Sequence, residues 1–231
     1  MFMSGILYGA GVGPGDPELM TVKAVRLIRE NEVIAVPGKV AEETVAYQIA
    51  VQAVPELAQK TLVAIDMPMV HDLEVQDRAH EHAADILEEY LKQGKNVVYL
   101  TLGDPTIYST YLYIQKKLQR RGYQAELCPG IPSFCAAAAR TGTPLVEWDE
   151  QLHIVPAVHR LDTPLDLPGN YVLMKSGKKM GTVRQKLVES GRDVVMVENC
   201  GMENERVYMN IDEVPEESGY FSLIIAKEKK E

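Results

Sequence analysis

The stretch that most narrows the fold is NVVYLTL, residues 96–102, a nearly unbroken apolar run closed by Gly103-Asp104-Pro105. A run of that length without polar alternation reads as a strand covered on both faces, as in a parallel sheet between two layers of helices. Upstream, residues 73–93 place Ala79, Ala83, Ile86, Leu87, Tyr90 and Leu91 at helical spacing, and Gly94 supplies the glycine that commonly ends a helix. Further strands are expected at residues 6–12, 33–36, 62–65 and 125–128, with helices from residue 21, over 42–53 and over 107–121. The alternation predicts an N-terminal α/β domain, residues 1–131, built on a doubly wound, mostly parallel sheet. Beyond Pro129-Gly130 the pattern changes. Strands at 152–155, 171–174, 194–197 and 221–226 outnumber the helices near 133–140 and 182–190. Residues 132–231 are therefore expected to form a second, mixed-sheet α/β domain.

Composition narrows the function classes. Apolar residues make up 46% of the 231, enough for a sizeable core, while a net charge of −9 disfavours nucleic acid and anionic membranes as partners. No segment approaches the roughly 18 apolar residues of a membrane span. The opening MFMSGILYGAGVG lacks the basic start of a signal peptide, so a soluble cytoplasmic location is expected. Cys128, Cys135 and Cys200 form no Cys-x-x-Cys pair and are expected to be reduced, buried thiols.

Two loops carry chemical information. The first, GAGVGPGDPELMT at residues 9–21, invites a dinucleotide reading and fails it. Counting from Gly9, Gly11 or Gly13, the last glycine of Gly-x-Gly-x-x-Gly falls on Pro14, Asp16 or Glu18. Asp16 at the mouth of a helix would also repel a pyrophosphate. No Gly-x4-Gly-Lys-Ser/Thr occurs, which removes the P-loop reading. What the loop offers is close backbone approach at the carboxyl end of a strand, where open α/β sheets bind ligands. A plain strand-to-helix turn capped by Asp16 or Thr21 is the structural alternative. The second loop, LGDPTIYST at residues 102–110, pairs a permissive glycine with a carboxylate and a helix-starting proline. Two such loops at two strand ends suggest one shared crevice.

GVGPGDPELMT, YLTLGDPTIYST and PGIPSFCAAAARTGTPL, with VENCGMENERVY near residue 200, resemble the tetrapyrrole methylase family, the class III methyltransferases, in order and spacing along the chain. GDPTIYSTY followed by PGIPSFCAAAA is most similar to the branch that methylates carbon 20 of precorrin-2 or cobalt-factor II. The resemblance implies two α/β domains with S-adenosylmethionine in the cleft between them, a homodimer, and a tetrapyrrole substrate of cobalamin synthesis. It implies cofactor contacts at Pro14, at Leu102, Gly103, Asp104 and Ile107, at Ser133 and Phe134, at Met174, and at Cys200 and Gly201. Met20 stands where a leucine is common, and Pro132 replaces a small hydroxyl residue, which moves the hydrogen-bonding role to Ser133. Other family members, acting at a different macrocycle carbon, on sirohaem precursors, on diphthine or on ribosomal RNA, are the near alternatives. The acidic chain disfavours RNA. A non-catalytic S-adenosylmethionine-binding module and a nucleotide-binding dehydrogenase are the more distant ones.

Methyl transfer from a sulfonium is an in-line displacement that needs alignment and dryness more than a catalytic triad. A proton must leave the methylated carbon, and Asp16, Tyr108 or a substrate carboxylate are candidate bases. The basic run KSGKKMGTVRQK at residues 175–186, with Lys178 at its centre, and Arg206 are candidates to meet substrate carboxylates. No metal site is expected. His80 and His82 are two apart on a predicted helix, point to different faces and read as solvated surface. His71 is a weaker candidate for a cobalt or macrocycle contact, and His153 and His159 read as structural or exposed.

Overall fold

A computed structural model describes residues 4–68, 70, 72–157 and 165–229, except for the side chain of Lys178. The chain divides into two compact units, Met1–Pro132 and Ser133–Glu231. In the first unit, strands β1 (Leu7–Gly11), β2 (Val33–Pro37), β3 (Thr61–Ile65), β4 (Val97–Thr101) and β5 (Ala125–Cys128) form an all-parallel sheet in the order β3-β2-β4-β1-β5. The connecting helices are α1 (Val22–Glu30), α2 (Val45–Ala53), α3 (Leu73–Lys92) and α4 (Tyr111–Arg120).

Strand parity explains the apolar run. Val98 and Leu100 of β4 pack into the core shared with Ala24, Leu27 and Ile28 of α1 and with α2. Val97 and Tyr99 face the opposite core, formed with Leu87 and Leu91 of α3 and Ile114 and Leu118 of α4. All five β4 residues are buried. The strands central to the sheet thus have no polar face to show, and the expected doubly wound sheet is what forms.

Three local expectations are corrected. The helix expected from residue 42 begins at Val45, because Ala41–Glu43 forms a short 3₁₀ turn and the extended Thr44 caps α2 through Tyr47 N–H (3.3 Å). The helix expected from residue 107 begins at Tyr111, because Tyr108 takes a left-handed φ of 49° and the Asp104 carboxylate accepts from Thr106 N–H at 2.7 Å. Asx-type bonding of this kind competes with helix propagation. His80 is not solvated surface: it is 8% exposed and stacks on Tyr113 of α4, ring centroids 4.7 Å apart. His82, one step round the helix, is exposed as expected. Beside that stack, Lys117 meets Asp77 and Glu81, each at 2.7 Å, and Arg121 meets Asp85 (2.8 Å) and Glu88 (3.0 Å). The acids between the apolar positions of α3 therefore serve as partners for α4.

The second unit is a mixed sheet. Its strands β6 (Leu152–Pro156), β7 (Asn170–Met174), β8 (Asp193–Glu198), β9 (Arg206–Tyr208) and β10 (Ser222–Lys227) run in the order β6-β7-β10-β8-β9. Only β6 and β7 are parallel; the other pairings are antiparallel. Helix α6 (Met180–Ser190) covers one face through Met180, Val183 and Leu187, and α5 (Ser133–Thr141) lies against β10 and β8. Strand β9 was not expected from the sequence; it is three residues long and half exposed, too short for a periodic signal. The thiols also divide: Cys128 is buried as expected, Cys200 is half-buried, and Cys135 is exposed on α5, which corrects the expectation for that residue.

Burial, reinforced by the Lys117 charge, lowers the pKa of His80 below its ordinary 6.5. The unfolded chain then binds the extra proton first, so stability falls as the pH drops through about 6.5 and the loss levels off below the folded-state pKa. His80→Phe keeps the stack and removes the proton site. Its urea midpoint should fall less than the wild type's between about pH 7.5 and about pH 5.5. Equal slopes would assign the acid sensitivity to the carboxylates alone.

Candidate functional site

Strands β1 and β4 are neighbours, yet the helices that follow them leave to opposite faces: α1 joins one core and α4 the other. Such a reversal opens a crevice beyond the carboxyl ends of the two strands. Both glycine-bearing loops stand there. Gly103 N–H donates to Gly13 O at 2.7 Å, and Gly13 N–H returns a bond to Gly103 O at 3.3 Å. Val12 N–H also donates to Thr101 O (2.9 Å), extending the sheet into the loops. The shared crevice suggested by the sequence is thus a direct backbone pairing of the two loops.

A third loop joins them. Gly130, after β5, lies so close that a Cβ on it would stand 2.1 Å from Gly103 O and 2.9 Å from Gly11 Cα. A Cβ on Gly11 would meet Gly103 O at 2.5 Å. Gly103 has φ +70° and needs glycine for that reason as well. Gly9 has a different purpose: a Cβ there would overlap the Tyr111 ring at 2.3 Å. Gly11 and Gly130 are therefore required by close packing of strand ends, and Gly9 by the Tyr111 ring.

Asp104 is 8% exposed and tied on both oxygens. Oδ1 accepts from Thr106 N–H (2.7 Å) and from the Thr106 hydroxyl, and Oδ2 accepts from Gly130 N–H at 2.9 Å. Thr101 and Ser109 hydroxyls meet at 2.9 Å, and Ser109 Oγ accepts from Tyr111 N–H at 3.2 Å. Between these two ties sits Tyr108, 44% exposed and left-handed at φ 49°, a strained conformation of the sort that clusters at functional loops. Leu102 and Ile107 are half-buried in the same loop, and Pro14 is buried in the first loop. Asp16 is half-buried and accepts from Glu18 N–H (2.8 Å), while Thr21 caps α1 through Ala24 N–H (3.1 Å). Both residues do the capping that the structural alternative ascribed to them.

In the second unit the expected contacts lie at the carboxyl ends of β7 and β8, the two strands that flank β10. Met174 ends β7 half-buried, and Cys200-Gly201 forms the turn after β8. Glu205 organises that turn, accepting from Gly201 N–H at 2.8 Å and pairing with Arg140. Burial opposes its charge, but Gly201 and Arg140 hold its carboxyl below the usual range. Burial, then the Glu205 charge, pushes the Cys200 thiol up to about 11, so it stays protonated at neutral pH. Ser133 opens α5 half-buried, and Phe134 beside it is buried. Arg206 is exposed on β9, opposite Glu198.

Lys175 opens the basic run and Asn199 lies in the VENCGMENERVY block, but the sequence did not announce their backbone conformation. Each follows its strand directly and is left-handed, at φ 60° and φ 50°. Asparagine tolerates that region, but a lysine there carries no readable signal. His153, the structural candidate, sits in β6 with Nε2 2.9 Å from Pro168 O and its ring tilted on Tyr171. His71, His159 and the Lys178 side chain lie outside the described residues. Among the described residues no group of histidine, cysteine and carboxylate side chains could hold a metal ion.

The glycine junction makes a stability prediction. Gly130→Ala must displace backbone, so it should cost about 2–3 kcal/mol in urea unfolding. Gly122→Ala, at φ +91° with nothing within 4 Å, carries only the left-handed penalty of about 1 kcal/mol. Equal losses in the two variants would show that the three loops do not pack as described.

Three known proteins place this geometry. The chain is 34% identical over 230 residues to the probable cobalt-precorrin-2 C(20)-methyltransferase of Methanocaldococcus jannaschii, covering 97% of this chain and 96% of that one. It is 30% identical to the precorrin-2 C(20)-methyltransferase of a Sinorhizobium species, covering 96% and 97%. The fold matches that of the Thermus thermophilus uroporphyrin-III C-methyltransferase solved with S-adenyl homocysteine, with a TM-score of 0.67 at 24% identity over 97% and 98% of the two chains. Residues 6–215 match the model of the tetrapyrrole (corrin/porphyrin) methylases, and the chain belongs to that family.

Proposed function

We propose that this protein transfers a methyl group from S-adenosylmethionine to carbon 20 of precorrin-2 or of its cobalt form, a step of cobalamin synthesis. The observation that carries this reading is the end-to-end similarity to two C(20)-methyltransferases, one metal-free and one cobalt-specific by name. The local chemistry agrees with it. Gly11 and Gly130 pack too closely on the Gly103 backbone to carry side chains. Asp16 and Thr21 take up the N–H groups of Glu18 and Ala24 at the starts of the helical segments after β1, which suits a cofactor without phosphates.

S-adenosylmethionine supplies a methyl group already activated on a sulfonium. Pro14, Leu102, Gly103, Asp104 and Ile107 of the first unit, and Ser133, Phe134, Met174, Cys200 and Gly201 of the second, are the residues assigned to hold it. The attacking atom is the electron-rich meso carbon of the macrocycle: its electron pair forms the new C–C bond as the C–S bond breaks. The carbon then loses its proton. Asp16 keeps Oδ2 outside its capping bond, and the Tyr108 hydroxyl is on an exposed side chain, so each is a candidate to accept that proton or to bind the substrate. Lys178 and Arg206 are assigned to the substrate's carboxylates. Residues 1–131 and 132–231 are taken as the functional domains, and a cytoplasmic homodimer as the working form. No described helix is long and apolar enough to cross a membrane.

The test is incubation with methyl-labelled S-adenosylmethionine and either precorrin-2 or cobalt-factor II, followed by mass and carbon NMR analysis. One added methyl at carbon 20 is expected on at least one substrate. Addition at another carbon would reassign the protein within its family, and no methyl on either would overturn the reading. Joint charge reversal at Lys178 and Lys179 should raise the tetrapyrrole KM several-fold with kcat nearly unchanged, as loss of uniform binding requires. An unchanged KM would remove the basic run from the substrate site.

A further inference from the structure

Asp104 belongs to the residues assigned above to the cofactor, and its surroundings give that assignment a specific form. We infer that Asp104 is a positioning residue: its carboxylate ties the β4 loop to the β5 loop through Gly130 N–H, and the cofactor meets the backbone so held, not the carboxylate. The inference rests on the S-adenosylmethionine reading and deepens it.

A carboxylate has about four acceptor sites. Here three are taken by protein donors, Thr106 N–H, the Thr106 hydroxyl and Gly130 N–H, and the side chain is 8% exposed. The donors are neutral, so the negative charge is spread over fixed dipoles inside the loops and is not aimed outward by a partner cation. The Gly130 bond is the informative one. It crosses from one strand's loop to another's, at the point where Gly130 touches Gly103 and Gly11. Gly103 is in turn paired with Gly13 by two backbone bonds. Asp104 is therefore the side chain that ties the β4 and β5 loops together, at a contact made otherwise of glycine backbone.

Asp104→Asn cannot satisfy all three donors. Its single oxygen serves either Thr106 or Gly130, and its amide N–H₂ then faces another donor. Three ligands separate positioning from contact. S-adenosylmethionine carries a sulfonium and an ammonium, S-adenosylhomocysteine only the ammonium, and methylthioadenosine neither. A carboxylate that touched the charged end of the cofactor would favour the cationic ligands, so its loss would spare methylthioadenosine; one that touched the ribose would weaken all three but leave Gly130 N–H exchange unchanged. A positioning carboxylate acts on the loop backbone, so all three affinities should fall together, by about tenfold each in titration calorimetry, the scale of one buried donor left unsatisfied. The S-adenosylmethionine KM should rise likewise, with kcat at saturation within a factor of about two.

Amide hydrogen exchange supplies a readout that needs no ligand: Gly130 N–H should exchange faster in Asp104→Asn than in the wild type, with the amides of β1 and β4 unchanged. Methylthioadenosine spared while S-adenosylmethionine weakens would overturn the inference in favour of direct contact. Unchanged affinity for all three ligands, with only the melting temperature lowered, would reduce Asp104 to a stability role. If the wild type binds none of the ligands, the cofactor reading fails, and the exchange result still decides whether Asp104 ties the loops.

Discussion

Glycine meets glycine where β1, β4 and β5 end, and the first unit is arranged around that contact. At Gly11 and Gly130 a Cβ would overlap backbone, and Gly103 between them is left-handed at φ 70°. The spacing is set by hydrogen bonds, two between Gly13 and Gly103 and one from Gly130 to Asp104. Hydrogen bonds of this kind contribute only about 1 kcal/mol each in net terms. The junction therefore depends on the rigidity of the sheet beneath it, and β4 provides that, buried on both faces between two helical layers.

The sheet is also why the loops diverge. Because α1 and α4 leave adjacent strands toward opposite cores, the loops cannot pack on one another as side chains of a common layer would. They meet through the backbone pairing of Gly13 with Gly103. Beyond the paired glycines the first loop turns into the Asp16-capped 3₁₀ segment and the second into the Asp104 turn and the strained Tyr108. Strain at Tyr108 is sustained because both its flanks are tied, Asp104 to Thr106 before it and Ser109 to Thr101 after it.

What could be read from the sequence follows from range. Strand parity, the glycine-ended helices and the Pro-Gly punctuation are local properties, and the strands of both units were legible from them, apart from the three-residue β9. The meeting of the two glycine-bearing loops was legible too, because glycine and proline mark unusual backbone. His80 was misread although it stands three and four residues before Ala83 and Ala84, on the buried face of α3; the ring that covers it, Tyr113, comes from another helix. The start of α4 was misplaced because Ile107 and Tyr108 are competent helix residues by propensity, and only the carboxylate of Asp104 withholds them from the helix. Tyr108, Lys175 and Asn199 share a left-handed backbone that their residue types do not announce. The residues proposed to act on the substrate were the least legible, since a lysine or arginine near a turn looks the same whether it meets a ligand or water.

Charge links the fold to the proposed reaction. A chain of net charge −9 sets up a field that favours approach of a cation, and the methyl donor is a sulfonium. Once the methyl has moved, the sulfur is neutral, and that long-range attraction weakens for the spent cofactor. The same field opposes a polycarboxylate macrocycle, so such a ligand calls for local cations, the use proposed above for the basic run of residues 175–186. Holding Asp104 inward on neutral donors is consistent with this division. Bound by Thr106 and Gly130, the Asp104 carboxylate uses its acceptor sites on the loops it joins.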